Sequence, residues 1–135
     1  MAHQTPIDVR FMELDPYGHV NHSVYVTYLE VGRTDALAAC GVPIDKLAVE
    51  GYQLVVTRID VRYRRAAGPG DRLTVETAVG EHRRASGVWH QRVLRGDEVL
   101  VTAEVTIGIT DRNGRPTRPP EWLFPALRSL EDTAG

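Results

Sequence analysis

A chain of 135 residues has the length of one ordinary domain and can bury one real core but hardly two, so a single unit spanning residues 1–135 is expected. A formal net charge of −2 argues against a nucleic-acid binder that neutralises phosphates and against a basic membrane-surface protein. One cysteine, Cys40, rules out an internal disulfide framework and a multi-cysteine zinc site.

The N-terminal MAHQTPIDVRF carries no apolar signal core, and no window approaches the roughly 18 apolar residues of a membrane span, so a soluble cytoplasmic protein without a membrane span is expected. Residues 6–12 alternate, with Ile7, Val9 and Phe11 on one side and Asp8 and Arg10 on the other, which is the period of a half-buried strand. Pro16 and Gly18 break it. From Asn21 or His22 to Cys40 the period becomes helical: Tyr25, Tyr28, Leu29, Gly32 and Ala36 form a stripe, and Val24, Val26, Val31 and Leu37 widen it into a helix apolar on most sides. Asn21 suits the N-cap, Gly41 and Pro43 supply the stop, and Cys40 reads as buried filler at the helix end.

Strands follow to about residue 110. Val55, Thr57, Ile59, Val61 and Tyr63 share one face of the next segment, and Leu73, Val75, Thr77 and Val79 share one face of the segment after it. GVWHQRVL runs to a tight-turn signal at Gly96-Asp97, after which Val99, Val101, Ala103, Val105, Ile107 and Ile109 alternate. The tail is proline-rich and ends in a short amphipathic piece with Trp122, Leu123, Leu127 and Leu130. A buried helix followed by antiparallel strands implies an α+β domain in which a curved antiparallel sheet wraps one long central helix. The sheet edges would still need protection, which favours a homodimer.

The stretch LDPYGHVNHSVYVTYLE concentrates Asp15, Gly18, His19, Asn21 and His22 at the mouth of that helix. Asp-Pro-Tyr-Gly is good β-turn material whatever its function. Glu30 and Arg33 are spaced to pair on the helix, where they would fix a dimer or helix–sheet contact. His3, His82 and His90 fall on separate elements without metal-ligand spacing, so no metal is expected.

VRFMELDPYGHVNHSVYVTYLEVGRTDAL, together with RIDVRYRRAAGPGDRLTV, resembles the hotdog-fold acyl-CoA thioesterases of the 4-hydroxybenzoyl-CoA thioesterase-like class, in their long-chain acyl-CoA thioesterase branch. The matching pattern is Asp-x-x-x-His-Val-Asn from Asp15, then Tyr25, Glu30 and Arg33, then Tyr-Arg-Arg at 63–65, over roughly residues 6–110. The resemblance implies a hotdog fold and cofactor-free hydrolysis of a medium- or long-chain acyl-CoA by a homodimer or homotetramer. Thioester hydrolysis needs an activated water or a carboxylate nucleophile, with donors aimed at the oxygen that becomes negative.

By that resemblance Asp15 is general base or nucleophile, and backbone N–H groups near His22, at the positive end of the helix, polarise the carbonyl. His19 orients the carboxylate, or closes the acyl pocket, or is a helix-entry histidine satisfied by backbone. Asn21 caps the helix and borders the site, Tyr25 lines it, and His22 matches a histidine that assists the carboxylate in some relatives. Some of those relatives carry a tyrosine where this chain has Phe11. Arg64 and Arg65, and Arg83, Arg84 and Ser86, are candidates for the nucleotide part of coenzyme A, although Ala85 stands where relatives carry a lysine. Two other readings are an acyl-carrier-protein thioesterase of a biosynthetic pathway and a non-catalytic acyl-CoA binding module on the same scaffold.

Overall fold

The computed structural model describes residues 1–131; the last four residues of the C-terminal segment lie outside the described residues. Its elements are β1 (His3–Asp8), α1 (His22–Ala39), α2 (Ile44–Val49), β2 (Gln53–Tyr63), β3 (Arg72–Arg83), β4 (Ser86–Arg95), β5 (Glu98–Thr110) and α3 (Leu123–Ala126). Among the described residues the five strands form one antiparallel sheet in the order β1-β3-β4-β5-β2, and α1 packs against β1, β3 and β4. This is the expected α+β hotdog arrangement. No helix among the described residues is long and apolar enough to cross a membrane.

The core follows from the two periodicities. Leu73, Val75, Thr77 and Val79 of β3 are buried, as are Val101, Ala103, Val105, Ile107 and Ile109 of β5. They face Tyr25, Tyr28, Leu29, Gly32, Arg33, Ala36 and Leu37 of α1. Helix and sheet meet closely at Gly32, where a Cβ would stand 2.5 Å from Val75 Cγ1. At its start Asn21 Oδ1 accepts the Ser23 amide, and at its end Val42 N–H bonds Leu37 O while Gly41 N–H bonds Ala38 O, a Schellman closure.

Several local expectations change. β1 ends at Asp8, and Phe11–Glu13 form a 3₁₀ turn that leaves Phe11 89% exposed. The alternation over 6–12 therefore does not continue as a strand, because the chain must turn to enter the helix. α1 is not apolar on most sides: one face is buried, and Val26 and Val31 are exposed. β2 is broken by a register shift between Val56 and Arg58, so its odd positions do not share one face throughout. Cys40 is half-buried, with its Sγ 3.6 Å from Ser129 Oγ. Arg33 does not pair with Glu30 on the surface; it turns inward, and its Nη1 donates to Gln91 Oε1 at 3.0 Å.

Candidate active site

Glu13 to Asn21 form a miniature hairpin at the entrance to α1. Asp15 N–H donates to His19 O at 2.7 Å, Asn21 N–H donates to Glu13 O at 2.8 Å, and Leu14 bridges Val20 between them. Asp-Pro-Tyr-Gly makes the reversal, and Gly18 at φ 77 takes the left-handed conformation that the turn requires. Asp15 uses this geometry twice. Its Oδ1 accepts from the amides of Tyr17 at 2.9 Å and His19 at 3.1 Å, while Oδ2 carries no hydrogen bond among the described residues. The turn and carboxylate readings of Asp15 are thus compatible in one structure: the turn amides orient the carboxylate through Oδ1 and leave Oδ2 without a hydrogen bond among the described residues.

The second half of the site is the first turn of α1. Asn21 Oδ1 takes the Ser23 amide and Asn21 O takes the Val24 amide, so the His22 N–H is left without an acceptor among the described residues. It points out of the positive end of an 18-residue helix, the arrangement that stabilises developing negative charge on an oxygen. Asn21 is therefore structural through its cap, and it is not among the residues that line the cavity described next.

A cavity of about 330 Å³ gathers Asp15, His19, His22, Tyr25, Arg64 and Arg65 at the end of the sheet where β2 finishes. Val20, Tyr63 and Ala66 complete its lining. The side chains of His19 and His22 make no hydrogen bond to the Asp15 carboxylate; both are exposed, and what His19 gives Asp15 directly is its backbone amide. Tyr25 is buried; its hydroxyl accepts the Ala67 amide at 2.9 Å, and burial raises its pKa above the usual tyrosine value. Tyr63, quoted in the Tyr-Arg-Arg motif but given no role there, stacks edge-on against Tyr25 and donates to His22 O at 2.8 Å.

The two arginines differ. Arg65 is tied to Glu98 at 3.1 Å, whereas the Arg64 side chain has no hydrogen bond or ion pair among the described residues. If an acyl-CoA binds here, as the resemblance implies, Arg64→Ala is expected to raise its KM about tenfold with little change in kcat, and Arg65→Ala less than threefold, because a charge already paired has less to offer a phosphate. Initial-rate kinetics on the two variants checks this, and equal effects would contradict it.

Behind Arg65 stands a network the sequence did not announce, since it joins two separate connections, the β2–β3 loop and the β4–β5 turn. Arg95 binds Glu98 at 2.6 Å, Asp71 at 2.7 Å and Ala66 O at 3.4 Å, and Asp71 also accepts the Gly68 amide at 2.8 Å. The same loop reaches the Asp15 hairpin, for Val20 N–H donates to Ala67 O at 2.9 Å. The Gly68 amide and then Arg95 hold the Asp71 carboxyl below its usual range, and Arg95 first of all does so for Glu98. His3 and Thr5 do the same for Asp35 on α1.

A carboxylate whose native pKa is depressed contributes stability that is present above its unfolded value, about 4, and is lost as pH falls through the native value. The thermal midpoint is therefore expected to hold steady on acidification toward pH 5 and to fall below about pH 4. Melting curves from pH 7 to pH 3 test this, and Asp35→Asn should flatten part of the acid limb.

Arg83, Arg84 and Ser86 lie elsewhere. They belong to the β3–β4 hairpin, where Ser86 pairs with Gly108, whereas Tyr63 beside the site pairs with Val101. From Val101 to Gly108 is about 23 Å along β5 at ~3.3 Å per residue, so one chain does not bring that hairpin to Asp15. A larger cleft of about 570 Å³ includes Arg83, but none of its lining residues belongs to the first turn of a helix. Among the described residues no group of three or more His, Cys, Asp or Glu is placed to hold a metal ion.

The family model described as the thioesterase-like superfamily matches residues 9–127. The long-chain acyl-CoA thioesterase FadM of Escherichia coli K12 is 33% identical over 104 residues, covering 77% of this chain and 78% of FadM. A chloroplastic acyl-acyl carrier protein thioesterase of Arabidopsis thaliana is 26% identical over 90% of this chain, which spans 65% of that protein's length. A thioesterase from Thermus thermophilus, solved with coenzyme A and Zn, superposes with a TM-score of 0.81 at 30% identity, covering 95% of this chain and 93% of the other. With its fold, its helix-entry hairpin and these relatives, the chain belongs to the thioesterase-like superfamily.

Proposed function

We propose that this chain hydrolyses an acyl-CoA thioester to a free acid and coenzyme A. The observation that carries the reading is the Asp15 carboxylate, with one oxygen fixed by two amides, sharing a cavity with His22; its other oxygen and the His22 N–H have no hydrogen bond among the described residues. The thioester carbonyl oxygen accepts from the His22 amide, which withdraws charge from the carbonyl carbon. As base, Asp15 takes a proton from water while the hydroxide adds to that carbon, the C–S bond breaks, and the proton passes to the leaving thiolate; as nucleophile, Asp15 adds to the carbon and expels the thiolate, and water then cleaves the acyl–Asp15 anhydride, releasing the acid and supplying the thiol's proton. Tyr25 and Tyr63 line the acyl entrance, Arg64 meets the phosphates, and no cofactor is needed.

The long-chain specificity named for FadM supports a medium- or long-chain acyl group, and the coenzyme A complex of the Thermus relative supports the thiol carrier. In this reading the protein works in the cytoplasm as a homodimer or homotetramer, with the edge strand β2 covered by a second copy. Arg83, Arg84 and Ser86 would then meet coenzyme A bound at the other copy's Asp15.

The Arabidopsis relative favours a second reading, in which the acyl group arrives on a carrier protein. Thiol release from a panel of acyl-CoAs of increasing chain length, beside the same acyl groups on a carrier protein, tests both. Turnover of a medium or long acyl-CoA supports the first, turnover of the carrier ester alone supports the second, and release from neither contradicts both.

A further inference from the structure

The site's geometry depends on a carboxylate that takes no part in the chemistry above. Glu13 stands at the foot of the Asp15 hairpin, and three bonds converge on it. Its Oε1 accepts the Tyr28 hydroxyl at 2.7 Å and the Arg10 amide at 2.8 Å, while its carbonyl accepts the Asn21 amide at 2.8 Å. Tyr28 lies in the body of α1 and is 3% exposed, Asn21 is the N-cap of the same helix, and Arg10 opens the 3₁₀ turn that leads into the hairpin. One residue therefore fastens the incoming chain, the hairpin stem and the helix to each other.

We propose that Glu13 is a positioning residue that sets the Asp15 carboxylate relative to the His22 amide. The hairpin carries Asp15 two residues beyond Glu13, and His22 follows Asn21 directly, so the two reacting groups sit on either side of the stem that Glu13 closes. The backbone bond between Glu13 and Asn21 ties the stem to the helix N-cap, and Val20 N–H to Ala67 O ties it to the loop after β2, but neither reaches the body of α1. The side-chain bond to Tyr28 anchors the stem to the body of α1, because a buried phenol has one place to donate and is destabilised when left without an acceptor. The raised pKa of Tyr28, caused by burial and then by Glu13, keeps the phenol protonated and donating. Misplacement of a reacting group by about 1 Å can cost on the order of 100-fold in rate.

This inference rests on the hydrolase reading, and its test carries a readout that does not. Acyl-CoA kinetics and amide hydrogen exchange are measured on wild type, Glu13→Ala, Glu13→Gln and Tyr28→Phe. Glu13→Ala is expected to lower kcat at least about tenfold with KM within about twofold, because substrate contacts are untouched. In the same variant the amides of Tyr17, His19 and Asn21 should exchange at least about tenfold faster, while the amides of β3, β4 and β5 hold.

Glu13→Gln keeps an oxygen that accepts both side-chain bonds and should stay within about threefold of wild type in both readouts. Tyr28→Phe should follow Glu13→Ala in direction, and it keeps the ring that fills the core should the alanine variant fold poorly. Unchanged exchange at the three amides, or exchange raised equally throughout the sheet, would overturn the proposal, as would faster exchange with unchanged kcat. A glutamine variant as impaired as alanine would assign the effect to charge and overturn it as well. If the wild type turns over no acyl-CoA, the acyl-CoA reading fails, while the exchange pattern still decides whether Glu13 holds the hairpin.

Discussion

Asp15→Asn is expected to lower kcat/KM for thiol release from an acyl-CoA by about 100-fold or more, the usual size of a general-base or nucleophilic contribution. Asparagine is the informative replacement because its Oδ1 can still accept the amides of Tyr17 and His19 that hold Asp15, and it tolerates the same turn. The hairpin should therefore survive, and what disappears is the negative oxygen. Thiol release measured beside a thermal melt separates the two effects. A variant that melts near the wild-type temperature and hydrolyses at the wild-type rate would remove Asp15 from the mechanism.

The largest expected effect on stability lies beneath α1. Gln91 is 1% exposed in the middle of β4, and its Oε1 accepts from Arg33 while its Nε2 donates to Leu29 O and to Thr77 Oγ1, each at 2.9 Å. Arg33 is 7% exposed, and burial lowers its pKa below the usual arginine value. No carboxylate lies within ion-pair distance of it among the described residues.

Gln91→Leu keeps the volume but leaves a buried cation without its acceptor, at an expected cost of about 3 kcal/mol. Adding Arg33→Met removes the stranded charge, and the double variant should recover at least about 1.5 kcal/mol, since an apolar replacement of both partners is better tolerated than removal of one. Urea denaturation of the two single variants and the double variant measures this. A double variant no more stable than Gln91→Leu would show that Arg33 does not depend on Gln91.

These two sites also mark what the chain reveals when read as a string. β3, β5 and α1 were legible because burial on one face imposes a period that survives in the order of residues: Leu73, Val75, Thr77 and Val79 alternate as they must. The Asn21 cap was legible because capping is a local hydrogen bond. The gathering of Asp15, His19, His22, Tyr25, Arg64 and Arg65 followed the family pattern, and one cavity holds all six.

Contacts made at long range were not legible. Gln91 and Arg33 are 58 residues apart, and no local rule says that an arginine on a helix turns inward to meet an amide on β4. The Arg95 network, which joins the β2–β3 loop to the β4–β5 turn, was hidden for the same reason. α2 was missed because six residues, Ile44–Val49, are too few to establish a period. Arg83, Arg84 and Ser86 read as ligand-binding residues from their chemistry, but sheet register decides where they sit, and it sets them along β5 from the site.

The most direct test of the central claim is a structure of Asp15→Asn with an intact medium- or long-chain acyl-CoA bound. The thioester carbonyl oxygen is expected within about 3 Å of the His22 amide nitrogen, with the carbonyl carbon facing residue 15 and the pantetheine leaving past Tyr63 and Arg64. An acyl-CoA whose thioester lies away from the start of α1, or whose carbonyl turns from the His22 amide, would contradict it.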